Sequence, residues 1–144
     1  MLTDEDFRRK FREGMDCSAQ ILAQVAEDLF ITEEEAYRMG SCFGAGMLLG
    51  STCGAVTGAF IAIGIKHGNY EPNDIEQKSI VNNKRMEFIK RFKEAYDGKT
   101  TCPGLLKLDL IDPEKRKVAR EDGTIERACP QFIRTALKIL EDIL

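Results

Sequence analysis

The feature that most constrains this chain is a run of 25 residues, Ser41 to Ile65, without a charged side chain. Glycines recur in it at the four-residue spacing of helix dimers in lipid: Gly46, Gly50, Gly54 and Gly58. The run is long enough to span a membrane. However, 16 of its 25 residues are Gly, Ala, Ser, Thr or Cys, which supply little free energy for insertion. We therefore expect no membrane span, but a buried helix that its neighbours approach to backbone distance.

The overall composition is that of a globular protein. With 144 residues, 43% of them apolar and 31% charged, the chain fits one domain with a substantial core. A net charge of −3 and the lack of a basic stripe argue against a nucleic-acid partner. The amino-terminal run MLTDEDFRRKF is charged from its fourth residue and does not read as a signal peptide, so we expect a cytoplasmic location.

Helical periodicity runs through almost the whole chain. Caps at Thr3 and Asp16 predict two helices, the first of which ends near Gly14. Five more are predicted: one from Thr32 through Met39, one from Ser51 or Thr52 to about Lys66, one over about 74–96, one after Asp112 and Pro113, and one from about Cys129 and Pro130. The run LLKLDLID alternates too briefly for a confident strand. We expect an all-α, single-domain bundle of about five to seven helices over residues 1–144.

The cysteines are the candidate functional residues. Four of them fall in the first turn of a predicted helix: Cys17, Cys53, Cys102 and Cys129. Unpaired N–H groups and the helix dipole favour a thiolate there, although a helix end contributes only about 0.3–1 kcal/mol, which is less than one pKa unit. If the four sulfurs converge, their mutual repulsion as thiolates requires either disulfide pairing or a metal centre.

The spacing of the cysteines does not by itself identify a site. No C-x-x-C pair occurs, and the zinc and ferredoxin patterns are absent, so isolated buried cysteines stay an alternative. We interpret Cys42 as a small core residue. His67, the only histidine, is interpreted as a solvated residue at a helix end, with a ligand or proton-shuttle role as the alternative.

The run CGAVTGAFIAIGIKHG, with an upstream DCSAQ, a preceding FGAGM and two later lone cysteines, resembles the C_GCAxxG_C_C family. The resemblance covers essentially the whole chain. Residues 53–58 fit its CGAxxG core, and Cys17, Cys102 and Cys129 fall where the other three cysteines are expected. It implies a redox-active protein in which these four cysteines are the redox-active residues or metal ligands, with Gly54 and Gly58 beside a cofactor.

The resemblance implies a thiol/disulfide centre or a metal centre, and an iron–sulfur cluster is the closest analogy. It also implies a link to transport, with an electron-transfer partner or a transporter-associated protein, and a homodimer is a further expectation. One alternative is a non-catalytic binding or assembly module with glycine-rich helix packing and structural cysteines. Another is a thiol enzyme that uses Cys53 as the attacking thiolate. Whether the protein is an enzyme stays open.

Overall fold

A computed structural model describes residues 2–144, so Met1, which the predicted domain includes, lies outside the described part. That part contains nine α-helices and one 3₁₀ turn, and it contains no strand. The helices are α1 (Asp4–Arg12), α2 (Cys17–Val25), α3 (Glu33–Gly40), α4 (Gly54–His67), α5 (Ile75–Ala95), α6 (Cys102–Leu106), α7 (Pro113–Glu121), α8 (Thr124–Ala128) and α9 (Pro130–Ile143). The all-α, single-domain prediction is confirmed. The helix count exceeds the predicted five to seven because α6 and α8, with five residues each, are too short to show periodicity.

The core lies around α4, which contacts α2, α5 and α9. Helix α9 turns an apolar face into the core, and every member of that face is buried: Phe132, Ile133, Ala136, Leu137, Leu140 and Ile143. Helix α5 contributes Phe88 and Phe92, both without solvent exposure, and their rings stack with centroids 5.9 Å apart. Phe88 also contacts Phe60 of α4, with ring centroids 6.0 Å apart, so α5 packs against α4 through aromatic side chains.

The uncharged run is a packed helix preceded by a loop. In α4, a Cβ added at Gly58 would lie only 2.8 Å from the Cα atom of Ser18 in α2, so the predicted approach to backbone distance is confirmed. Gly46 and Gly50 precede α4, and the glycine ladder therefore does not form one helix face. Of the helices in residues 2–144, none has the length and apolar character needed to cross a membrane.

Helix α4 begins later than predicted. Ser51 and Thr52 do not cap it, because their backbone pairs with a distant part of the chain in an antiparallel bridge between Thr52 and Thr101. Cys53 is the residue that precedes the first helical turn. A long-range pairing of this kind leaves no local pattern, so the propensity of serine and threonine for caps was misleading here.

The loop before α4 contains a left-handed turn. Ala45, Gly46, Met47 and Leu48 have consecutive φ angles of 53°, 62°, 59° and 56°. For residues other than glycine, this conformation costs about 1–2 kcal/mol each. The strained turn lies beside the cysteines. Ala45 lines the same cavity as the four candidate cysteines, and a Cβ added at Gly46 would lie 3.0 Å from Cys102 Cβ.

Replacing Leu48 with glycine should stabilise the protein by about 0.5–1 kcal/mol, since relief of left-handed strain exceeds the entropy that glycine adds to the unfolded chain. The side chain is 49% exposed and loses little burial. Urea unfolding measures the change. Leu49→Gly is the matched control, because Leu49 is 72% exposed and has a φ of −117°. The control should lower stability, and a Leu48→Gly protein that loses stability as well would contradict the account.

Candidate functional site: a cavity lined by four cysteines

Cys53 and Cys102 are brought together by the antiparallel bridge between Thr52 and Thr101. The Cys53 N–H donates to Thr100 O at 2.8 Å, and the Cys102 N–H donates to Ser51 O at 2.9 Å. Cys53 follows Thr52 and Cys102 follows Thr101, so the two cysteines lie on the same face of this short antiparallel pairing. Each then starts a helix, Cys53 before α4 and Cys102 as the first residue of α6.

Cys17 and Cys129 come from two other helix starts. Cys17 is the first residue of α2, and Cys129 lies where α8 ends and α9 begins. Both side chains line the same cavity, and Cys129 is the neighbour that raises the pKa of Cys17 most. Cys17 also lies next to the bridge, since a Cβ added at Gly54 would be 3.0 Å from Cys17 Cβ.

The four cysteines line one cavity of about 360 Å³. All four are buried, with only 4–7% of each residue exposed. Most of the remaining wall is apolar and includes Phe11, Leu105, Leu106, Leu110, Ile125 and Phe132. Cys42 is not part of this site. It is exposed in the turn after α3, so the prediction that it fills the core is wrong.

Three of the cavity cysteines, Cys17, Cys53 and Cys102, have a raised pKa and hold their protons. Burial raises the pKa of Cys53 far above its usual range, although the N–H groups of Ala55 and Val56 oppose the shift. The interaction with Cys129, and then burial, raise the pKa of Cys17. The expectation that helix ends favour thiolates is therefore wrong for these three cysteines, because the loss of hydration exceeds the effect of a helix end.

The alkaline stability of the protein should depend on Cys102. Burial raises the pKa of Cys102 from 9.0 to about 12, so the folded state holds the thiol proton more tightly than the unfolded state does. The stabilisation is complete below pH 9.0 and is lost as the pH rises toward 12. The fall is at most about 1.4 kcal/mol per pH unit for one thiol, and less where solvent reaches it.

Cys102→Ser removes this titrating thiol. The unfolding free energy should therefore fall less steeply above pH 9.0 in the variant than in the wild type. Urea unfolding under reducing conditions at pH 7.5 and pH 10 measures the difference. Cys42→Ser is the control, because Cys42 lies on the surface. Identical pH dependence in the wild type and in Cys102→Ser would contradict the assigned burial of this thiol.

The arrangement does not fit a metal ion as it stands. Within the part of the chain that the structure describes, residues 2–144, no three His, Cys, Asp or Glu side chains are spaced to hold one. Gly54 lines the cavity, whereas Gly58 lies against the backbone of α2. A cofactor role for these two glycines stays a prediction.

His67 lies away from the cysteines, at the end of α4. Its Nε2 atom is buried and, among residues 2–144, has no hydrogen-bond partner. Burial lowers the pKa of His67, which favours the neutral imidazole. The interpretation of His67 as a solvated residue at a helix end is therefore right for its position but not for its buried Nε2 atom, and His67 does not line the cysteine cavity.

Comparison with known proteins gives one family. The family model described as "Putative redox-active protein (C_GCAxxG_C_C)" matches residues 15–143. The chain belongs to this family. No curated protein and no solved structure matches the chain. The C_GCAxxG_C_C match covers all four cavity cysteines, and the redox-active description is consistent with their burial around one space.

The sequence reasoning on this C_GCAxxG_C_C chain missed two features of the site. One is the bridge, whose only trace in the sequence is the repeated pattern of STC at 51–53 and TTC at 100–102. The other is a pair of arginines that line the cavity, Arg116 and Arg120, four residues apart on α7. Their spacing could have placed them on one helix face, but not beside the cysteines.

Proposed function

We propose that this member of the C_GCAxxG_C_C family is a thiol–disulfide redox protein in which Cys17 and Cys129 alternate between two thiols and one disulfide. The observation that carries the proposal is that these two buried side chains line one cavity together with the other two cysteines, and that Cys129 acts on the pKa of Cys17 more strongly than any other group does. A disulfide requires the two Cα atoms to lie within about 7 Å, so neighbouring cysteines in one cavity are the candidates for such a bond.

The redox step is a two-electron exchange. A bond forms between the Sγ atoms of Cys17 and Cys129, and the two thiol protons and two electrons pass to an acceptor disulfide, whose S–S bond is cleaved to two thiols. Because the attacking species is a thiolate, the raised pKa of Cys17 should make the exchange slow at neutral pH and faster in alkali.

Cys53 and Cys102 support the exchange as neighbours of this pair. Cys53 is close enough to Cys17 that a negative charge on one raises the pKa of the other. The same influence of Cys17 acts on Cys102. We therefore propose that Cys53 and Cys102 exchange with the Cys17–Cys129 disulfide, which would make all four cysteines redox-active residues.

A metal centre on the same four cysteines, with an iron–sulfur cluster as the leading form, is the second candidate. It is supported by the gathering of four buried thiols at one cavity and by the N–H groups of Ala55 and Val56, which act to lower the pKa of Cys53 and would favour a thiolate ligand. Their present spacing does not suit a metal ion, so the helix starts would have to move on binding. The link to transport, the electron-transfer or transporter-associated partner, the homodimer and the cytoplasmic location also stay predictions.

The two candidates separate in one experiment. The protein is purified without oxygen, its absorption spectrum is recorded, and iron, sulfide and zinc are analysed. It is then equilibrated with dithiothreitol buffers of defined ratio, and free thiols are counted. We expect no stoichiometric metal and a single transition in which two of the five thiols disappear. Stoichiometric iron with sulfide, or zinc, would favour the metal centre, and an unchanged thiol count would overturn the proposal.

A further inference from the structure

The wall of the cysteine cavity carries more positive than negative charge, although the chain as a whole has a net charge of −3. The charged residues in the wall are Arg12, Arg116, Arg120, Asp16 and Glu126. The field of the whole protein would repel anions. Any attraction of an anion to this cavity must therefore come from the arginines of the wall.

Arg12 is already engaged by carboxylates. Its guanidinium donates to Glu126 at 2.5 Å and to Glu5 at 2.8 Å. With both carboxylates beside it, Arg12 adds no net positive charge that a ligand in the cavity would meet. The balance of the wall is then set by two arginines of α7 and by Asp16.

Arg116 and Arg120 have no carboxylate within salt-bridge distance among residues 2 to 144. Arg116 donates only to backbone oxygens, at 3.0 Å to Leu110 and at 3.4 Å to Ile111. Arg120 makes no side-chain hydrogen bond in the described chain, and its charge acts on Asp16 through space, where it opposes the burial that raises the pKa of that carboxyl. Two guanidiniums on one helix face thus remain available to a ligand.

The size of the cavity limits what can reach the thiols. Each of the four cysteines is at most 7% exposed, and a space of about 360 Å³ has the volume of a small-ligand pocket. The sulfur of a folded partner protein cannot enter such a space without opening the bundle. A small molecule with an apolar body can occupy it and contact Phe11, Leu106 and Phe132.

We propose that the oxidant of the cysteine pair is a small organic disulfide that carries carboxylate groups, with Arg116 and Arg120 as its binding residues. This inference rests on the proposed function of Cys17 and Cys129. The S–S bond of the ligand breaks, the Cys17–Cys129 bond forms, and the two cysteine protons end on the two released thiols. Atoms and electrons balance without a further reactant.

Three disulfides of similar size and different charge test this inference: 3,3′-dithiodipropionate (anionic), bis(2-hydroxyethyl) disulfide (neutral) and cystamine (cationic). Each is mixed with the reduced full-length protein at low ionic strength, and formation of the Cys17–Cys129 bond is followed by quenching and mass spectrometry. We expect the anionic disulfide to react about tenfold faster than the cationic one, because local charge concentrates the anion at the cavity. Added salt should reduce the difference.

The variant Arg116→Gln/Arg120→Gln should bring the three rates together. Lys117→Gln is the matched control, because Lys117 lies on the same helix and is exposed but does not line the cavity. The control should keep the preference for the anion. Circular dichroism of the double variant establishes that it is folded, and its rate with the neutral disulfide is the reference against which its rates with the two charged disulfides are compared.

The outcomes distinguish this inference from the proposed function. Equal rates for the three disulfides, or a preference that survives in the double variant, would overturn the anionic ligand while leaving the Cys17–Cys129 pair intact. If none of the disulfides produces the Cys17–Cys129 bond, the proposed function fails and this inference fails with it.

Discussion

Gly58→Ala should lower the free energy of unfolding by about 2–3 kcal/mol, the upper part of the range for overpacking a core. The added Cβ would lie 2.8 Å from Ser18 Cα and 3.0 Å from Ser18 O. Both are backbone atoms, so α2 and α4 would have to separate rather than rotate a side chain. Because the start of α2 carries Cys17, this change should also disturb the cysteine cavity. Urea unfolding of the reduced protein measures the effect.

Gly64→Ala provides the control in the same helix. A Cβ at Gly64 would meet nothing within 4 Å, and alanine should stabilise a helix interior by about 0.5–1 kcal/mol relative to glycine. The two substitutions thus have opposite expected signs. A Gly58→Ala protein as stable as Gly64→Ala would show that the close approach of α2 and α4 is wrong.

Cys129→Ser should abolish the wild-type two-electron transition of the protein in dithiothreitol buffers, and any bond that Cys17 then forms with Cys53 or Cys102 should appear at a different midpoint. Serine fills nearly the same space, but it leaves Cys17 without its proposed partner sulfur. The loss of the wild-type transition is the largest effect we expect on activity, since Cys129 acts on Cys17 more strongly than any other group does. Free-thiol counts across the titration measure it.

Cys42→Ser is the control for this titration, because Cys42 is exposed outside the cavity. It should remove one thiol from the count and leave the midpoint of the transition unchanged. If Cys129→Ser keeps a two-thiol transition at the wild-type potential, the pair must be assigned to other cysteines, and the proposed function would lose its support.

The helices could be predicted where burial of one face gives the sequence a helical periodicity of apolar residues, or where a local capping pattern marks a helix start. The face of α9 and the capping box of Thr32 and Glu35 that begins α3 are local patterns, and both are present in the structure. The start of α4 could not be predicted in the same way. It is shifted by the pairing of Thr52 with Thr101, 49 positions along the chain, and a pairing over that distance has no periodicity.

The site was only partly predictable for a related reason. Helix-start positions for the four cysteines follow from prolines and caps nearby, and the structure places each of them either as the first residue of a helix or as the residue before it. The protonation of Cys53 does not follow from its position, because desolvation depends on the whole fold and here exceeds the local effect of the helix end. The contribution of α7 to the cavity is also a tertiary property, because only the folded structure shows that Arg116 and Arg120 line the same cavity as the cysteines.

The most direct test of the redox account is a disulfide map of the oxidised wild-type protein. After equilibration in an oxidising dithiothreitol buffer, remaining thiols are blocked, the protein is digested without reduction, and linked peptides are identified by mass spectrometry. The account predicts a Cys17–Cys129 link as the first bond formed, with Cys42 blocked as a free thiol. A map in which Cys17 and Cys129 are both blocked as free thiols at every oxidising ratio would contradict it.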